Sequence, residues 1–446
     1  MQGQNLPKIC NTVISFFKEI TQELGKAVKF VKRQSKLTAG LFAESLVMGC
    51  LSNPNISLED MRRLIKKRGV KISKQGLHQR FNPEATELMI NLFAESLQQF
   101  KTEKRAVINL LKPFATVEII DSSGISLPEN LKNLYKGYGG GSSSEAGLKI
   151  QLLFNYIEGQ IERVALTGAH KPDQSFKDYL EHIKKEGLYL QDLGYFDIAT
   201  FAFIQAKDAY FISRYLPQTK PYNKEGQPID LLKILQKSGS YFSQTVWLYK
   251  KKKEIKIQVR LIASRLQDKE YEKRFRKINA AAKKKGRTPT QESLELARWS
   301  IFITNVHESV LTDKEVYLVY SLRWQIELFF KVCKSQVGIN KVSGKKPDRV
   351  QCELYAKLIC IIMLMYFCFP ERWQENQELS FFKAYSQLRQ CSSDFFRALK
   401  SVYLLMRFLK DFLGDLKDFA LKEKPRKKRR GTYQELMNAR GQEVLA

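Results

Sequence analysis

The sequence lacks the means to staple itself covalently and has no long apolar run. Its seven cysteines are odd in number and scattered, with no C-x-x-C pair among Cys10, Cys50, Cys333, Cys352, Cys360, Cys368 and Cys391. That excludes a disulfide framework and a cysteine-based structural zinc, and it points to reduced thiols in the cytoplasm. The longest uninterrupted apolar stretch, Leu358 to Phe369, falls well short of the ~20 residues that a spanning helix needs, so no membrane partner is expected. At the N-terminus a brief apolar patch (Ile14, Phe16, Phe17) is broken by Ser15 and closed by Lys18 and Glu19, which does not read as a signal peptide. Acidic side chains are also scarce: 46 Asp and Glu against 75 Lys and Arg leave a net charge of +29. An excess of that size calls for a polyanionic partner, with nucleic acid the leading one. Because 43% of the residues are hydrophobic, the chain is no disordered basic arm and should fold around a large core.

Residues 1 to about 108 carry helical periodicity without a strand pattern, interrupted at Asn53-Pro54-Asn55 and Asn82-Pro83. Within them Ser57 opens one helix bearing Arg62, Arg63, Lys66, Lys67 and Arg68. Gly69 and Val70 then turn the chain, and Ser73 caps a second helix from Lys74 through His78 and Arg80 to Phe81. The spacing fits a helix-turn-helix that reads double-stranded DNA with Lys74, His78 and Arg80, although two short helices around a glycine turn also serve plain packing.

The period then changes. Thr116 to Asp121 reads as a strand ending in a carboxylate; Leu148 to Ile157 and Ile161 to Leu166 read as a pair joined at Glu158-Gly159. A helix is expected over Asp173 to Lys185, a second carboxylate-ended strand over Leu188 to Asp192, a helix over Ile198 to Ala206, and a strand over Ala209 to Ser213. This order implies a mixed α/β sheet over residues 109–213 and 299–348, interrupted by an insertion at 214–298 with strands at Tyr241 to Tyr249 and Ile255 to Leu266 and a charged helix at Asp268 to Lys285. Trp299 to Thr304 completes the strands, and Lys314 to Lys334 is expected to be one helix. Residues 349–446 read as helical, ending in the basic tail Arg426 to Arg430.

Asp121 and Asp192 at strand ends, with Glu327 on a later helix, would supply the oxygen ligands that hard divalent cations prefer. At 100° per residue, Tyr320, Arg323, Glu327 and Lys334 share one stripe of that helix, where donors could clamp phosphates beside a metal ligand. An ordinary i,i+4 ion pair of Arg323 with Glu327 would explain two of the four equally well.

The spacing Tyr320, Arg323, Glu327, Lys334 is Y-x2-R-x3-E-x6-K, and it resembles the signature of the insertion sequence 4 family of DDE transposases. Ile120-Asp121-Ser122-Ser123, Asp192-Leu193-Gly194-Tyr195-Phe196-Asp197 and Ile303-Thr304-Asn305 resemble that family's three conserved blocks. The resemblance, which runs from about Leu58 to Lys334, implies a ribonuclease H-like catalytic domain with a β-rich insertion, flanked by helical N-terminal and C-terminal regions. It further implies two Mg²⁺ ions (or Mn²⁺) held by Asp121, Asp192 and Glu327, cut-and-paste transposition, and a homodimer on two element ends. Tyr320, Arg323, Lys334 and Trp299 would contact DNA, Trp299 by stacking on a flipped base; core packing is the other reading of Trp299 and of Trp324. A metal-dependent nuclease or resolvase on the same fold, or a catalytically dead DNA-binding derivative, would share most of these features.

Three further features lie beside this set. Glu118, on the opposite strand face from Asp121, and Asp197, a helix N-cap, read as structural. The glycine-rich Gly137 to Ser144 lacks the G-K-[ST] ending of a P-loop and reads as a mobile loop. The runs Lys250 to Lys253 and Lys283 to Lys285 read as solvated faces or DNA-backbone contacts.

Overall fold

The computed structural model describes residues 5–32, 35–101, 105–139, 144–250, 254–284, 286–342, 345–368, 373–374, 377–423, 435–436 and 438–439. The middle of the glycine-rich stretch, Lys251 to Lys253, Lys285 and the tail Arg426 to Arg430 lie outside the described residues. Two compact units divide the chain: one comprises residues 1–106, 122–171 and 325–429, the other 107–121, 172–324 and 430–446.

The first unit opens with α1 (Leu6–Ser15), α2 (Thr21–Ala27), α3 (Ala39–Ser52), α4 (Leu58–Lys67), α5 (Lys74–Gln79) and α6 (Pro83–Gln99). Their starts follow from the sequence: Thr38, Ser57, Ser73 and Asn82 each accept a hydrogen bond from the backbone N–H three residues on, satisfying donors that a helix start leaves open. Ser57 and Asp60 form a reciprocal capping box. Between α4 and α5 the chain turns at Gly69, whose φ of +85° costs a residue without a Cβ little.

Strand β1 (Val117–Ser126) passes from the second unit into the first at Ser122. The first unit continues with β2 (Gly147–Asn155) and β3 (Gln160–Gly168), an antiparallel hairpin in the order β3-β2-β1. The second unit adds β4 (Leu188–Gln191), α7 (Ile198–Ala206), β5 (Tyr210–Arg214), β6 (Pro221–Tyr222), α8 (Leu231–Lys237), β7 (Tyr241–Lys250) and β8 (Ile255–Arg265). It is completed by α9 (Asp268–Lys284), α10 (Gln291–Leu296), β9 (Trp299–Thr304) and α11 (Asp313–Tyr320). Its strands run in the order β1-β4-β5-β9-β8-β7-β6. β1, β4 and β5 are mutually parallel and β9, β8, β7 and β6 follow antiparallel, which is the mixed sheet that the alternation of patterns implies. The insertion strands extend this sheet, because β8 pairs with the whole length of β9, from Arg260↔Thr304 to Arg265↔Trp299.

The first unit closes with α12 (Trp324–Ser335), which starts at the boundary, α13 (Pro347–Cys368), α14 (Phe381–Gln390), α15 (Ser392–Ala398) and α16 (Val402–Phe419). At 22 residues α13 is long and apolar enough to cross a membrane by length and composition, more than its apolar run suggests, yet 94% of its most apolar window is buried in the protein. Its charges are satisfied internally. Arg349 donates to Glu353 Oε1 (2.8 Å) and to the carbonyl of Ile56 (2.9 Å), and the Lys357 ammonium donates to the carbonyls of Gly338 (3.1 Å) and Lys341.

Three expectations need correction. Asp173 to Lys185 is no helix but two 3-10 turns, Asp173–Ser175 and Asp178–His182; side chains compete for its backbone, Ser175 Oγ taking the carbonyl of Pro172 and Tyr189 Oη the N–H of Lys184. The strand at Asp121 does not end there but continues to Ser126. Lys314 to Lys334 is broken by a 3-10 turn at Ser321–Arg323, so a stripe drawn at a constant 100° per residue does not hold across it.

Candidate active site

The site starts with register. β1 and β4 are parallel, paired from Val117↔Leu188 to Ile120↔Gln191, so Asp121 and Asp192 each follow the last pair on neighbouring strands. Beyond Gln191 the chain leaves the sheet in a 3-10 turn, Leu193–Tyr195, with Asp192 as its cap. The strand end is fixed from below: Gln191 is fully buried and its side-chain amide donates to Tyr179 Oη at 3.0 Å.

Each aspartate meets one residue of the later motif. Arg323 Nη1 lies 3.1 Å from Asp121 Oδ2, with the two side chains only 11% and 17% exposed. Tyr320 Oη lies 3.3 Å from the Gln191 carbonyl and 3.5 Å from Asp192 Oδ1. The ring of Tyr320 packs edge-on against Phe302 of β9, 4.6 Å between centroids, and the Arg323 guanidinium sits 6.0 Å from that ring. Burial pushes the Tyr320 phenol well above its ordinary pKa, and the negative charge of Asp192 adds to this, so the phenol stays protonated and serves as a donor. Tyr320, the last residue of α11, and Arg323, the last of the 3-10 turn that follows it, are thus the two side chains facing the paired aspartates.

A second charged cluster lies five residues beyond Asp192. Asp197 caps α7 through Ala199 N–H and accepts from Lys177, Lys250 and Thr200. Its N-cap role is legible in the sequence; the two lysines are not. Lys177 falls in the stretch misread as a helix, and Lys250 comes from the far end of β7 in the insertion. Burial alone would raise the Asp197 pKa, but hydrogen bonds and charge from Lys250 and Lys177 hold it down to about 2.

The remaining candidates divide by environment. Glu327 is half-buried and Lys334 exposed, both on α12. Among the described residues no three His, Cys, Asp or Glu side chains stand close enough together to hold a metal ion; what faces Asp121 is a guanidinium. The two aspartates nonetheless offer the donor type that divalent cations take, hard carboxylate oxygens, and Asp121 already neutralises a cation. Trp299 is only 5% exposed, the first residue of β9, with its carbonyl accepting from Arg274 Nη1 at 2.6 Å; its indole packs in the core. Trp324, by contrast, is 60% exposed. On α5 and its cap, Lys74 and His78 are exposed, while Arg80 is half-buried, donating to Ser35 Oγ at 3.1 Å and lying 6.0 Å from the Phe30 ring.

Comparison with known proteins agrees with the motif. The family described as Transposase DDE domain matches residues 112–363, more than half of the chain. The transposase for insertion sequence element IS1151 of Clostridium perfringens is 30% identical over 434 residues, covering 90% of each chain. The transposase for insertion sequence element IS231F of Bacillus thuringiensis subsp. israelensis is 29% identical over 399 residues, covering 83% of this chain and 82% of that one. A solved piggyBac transposase synaptic complex with hairpin DNA aligns over 99% of this chain and 86% of that one at 12% identity, with a TM-score of 0.45. The chain belongs to the DDE transposases of bacterial insertion sequences, and its function is DNA transposition.

Proposed function

We infer that the chain performs cut-and-paste transposition of its insertion sequence by phosphodiester hydrolysis and strand transfer, on a ribonuclease H-like catalytic fold. The single observation that carries this reading is the register of β1 and β4, which sets Asp121 beside Asp192 with Arg323 and Tyr320 against them. Asp121 and Asp192, joined by Glu327 from α12, are the residues that would hold Mg²⁺, two ions per site, with Mn²⁺ as a substitute. Bound there, hard divalent cations activate an attacking oxygen and stabilise a leaving one. Around them the protein's own groups do the positioning. Tyr320 is held as a neutral hydrogen-bond donor, Arg323 and Lys334 bring charge to phosphate oxygens, and the first unit's α4 and α5 read the element ends with Lys74, His78 and Arg80. Two copies acting on two element ends complete the proposal.

Asp121→Ala, Asp192→Ala and Glu327→Ala test it. Each variant should bind a duplex carrying the element's end about as tightly as wild type while losing Mg²⁺-dependent nicking, by two orders of magnitude or more if the loss follows that of other acid and metal groups in catalysis. A variant that nicks at the wild-type rate removes its residue from the set.

A further inference from the structure

We propose that Arg323 is a resident counter-cation for Asp121 which competes with a divalent metal ion for that carboxylate, so that metal loading and release of the guanidinium are one event. The proposal rests on the reading of Asp121 and Asp192 as metal ligands.

Burial forces the competition. Asp121 and Arg323 meet with side chains 17% and 11% exposed, where water screens little and neither charge is readily left without a partner. While the guanidinium is against Asp121 Oδ2, the carboxylate is already neutralised. A divalent cation arriving at the same carboxylate would stand beside a fixed positive charge in poor dielectric, and that repulsion opposes loading. Arg323 also has a destination when displaced, because a guanidinium is always charged and its planar fork suits a phosphodiester oxygen pair. Its neighbour Tyr320, seated on Phe302 and facing Asp192, flanks it without offering a competing anion. With metal at Asp121 the guanidinium gives up that carboxylate, and a DNA phosphate offers it another anion. Metal and phosphate should then bind with positive coupling, each strengthening the other by the same factor.

The sequence offers Arg323 a clamp on phosphate or an i,i+4 ion pair with Glu327. In the structure it sits on the Asp121 carboxylate instead, and the competition joins that placement and the phosphate clamp as successive states of one side chain.

The test is Mn²⁺ binding to the full chain without DNA, followed by calorimetry and by the electron paramagnetic resonance signal of free Mn²⁺. Arg323→Ala should bind Mn²⁺ about tenfold more tightly than wild type, within the 5- to 150-fold range typical of coupled sites, and Arg323→Lys should fall between them. Arg323→Gln, which removes charge but keeps donors, provides the same comparison if the alanine variant unfolds. Asp121→Asn and Asp192→Asn are the controls. If both abolish Mn²⁺ binding and neither neutral Arg323 variant tightens it, the competition is overturned and the metal reading stands. If neither asparagine variant weakens Mn²⁺ binding, the metal reading fails and takes the competition with it.

Discussion

Lys177 Nζ stands 3.1 Å from Asp197 Oδ2, and Lys250 Nζ holds the other oxygen of the same carboxylate. One side chain thereby joins three places in the second unit: the loop before β4, the start of α7 and the end of β7. Since Asp197 lies five residues after Asp192, it anchors the far end of the turn that carries the second aspartate.

This anchor should fail in acid. The folded-state pKa of Asp197 is depressed to about 2 from an ordinary 3.8, so its contribution is complete above about pH 4 and disappears as pH falls through about 2. The shift corresponds to on the order of 2 kcal/mol. Urea unfolding of wild type and Asp197→Asn should therefore differ most at neutral pH, and the gap should narrow steadily below pH 4. A gap of constant size down to pH 2 would mean that the lysines do not hold the carboxylate.

Lys357 makes a second case. It is fully buried on α13, burial pushes its ammonium below the ordinary lysine range, and it donates to the carbonyls of Gly338 and Lys341 just beyond α12. Lys357→Met keeps much of the stem but strands two carbonyls away from water. We expect a loss of about 2–4 kcal/mol in urea unfolding; a change under about 0.5 kcal/mol, the range of ordinary surface substitutions, would contradict the buried tie.

The difference between these two clusters explains how much was legible in the sequence. Asp121, Asp192, the caps Ser57, Ser73 and Asp197, and the strand pairs of the insertion are local signals: a turn, a cap or an alternation is written within ten residues. The expected helix over Asp173 to Lys185 failed because Tyr189 Oη takes the Lys184 N–H and Ser175 Oγ donates to the Pro172 carbonyl, ties that a period cannot express. The 3-10 turn at Ser321–Arg323 was invisible because helical and 3-10 sequences share their propensities, although that turn decides which motif residues face the aspartates. Lys177, Lys250 and Lys357 were unreadable as partners, since each finds its acceptor through tertiary folding alone.

Trp299 and Trp324 should differ sharply in what their removal costs. Trp299 is buried at 5% exposure, so Trp299→Ala should lower stability by about 3–5 kcal/mol, as removal of a core aromatic does. Trp324, at 60% exposure, should be replaceable by Ala with a change within about 0.5 kcal/mol. Thermal or urea unfolding of both variants checks the pair, and a Trp299→Ala protein as stable as wild type would put its indole outside the core after all.

The last prediction concerns α5. Lys74 and His78 are exposed, whereas Arg80 is half-buried against Ser35 and Phe30, so the three candidate DNA contacts are not equivalent. Lys74→Ala removes a charge available to a phosphate and should reduce the slope of log affinity against log salt by about 1 on an element-end duplex, with little effect on unfolding. His78→Ala should alter affinity only for the cognate end if His78 reads a base. Arg80→Ala should lower stability together with binding, because its guanidinium also ties the segment at Ser35 to the C-terminal end of α5. Fluorescence anisotropy at four salt concentrations, with cognate and scrambled duplexes, distinguishes the three outcomes. Equal slopes for wild type and Lys74→Ala would remove α5 from the phosphate contacts and leave it as a packing helix.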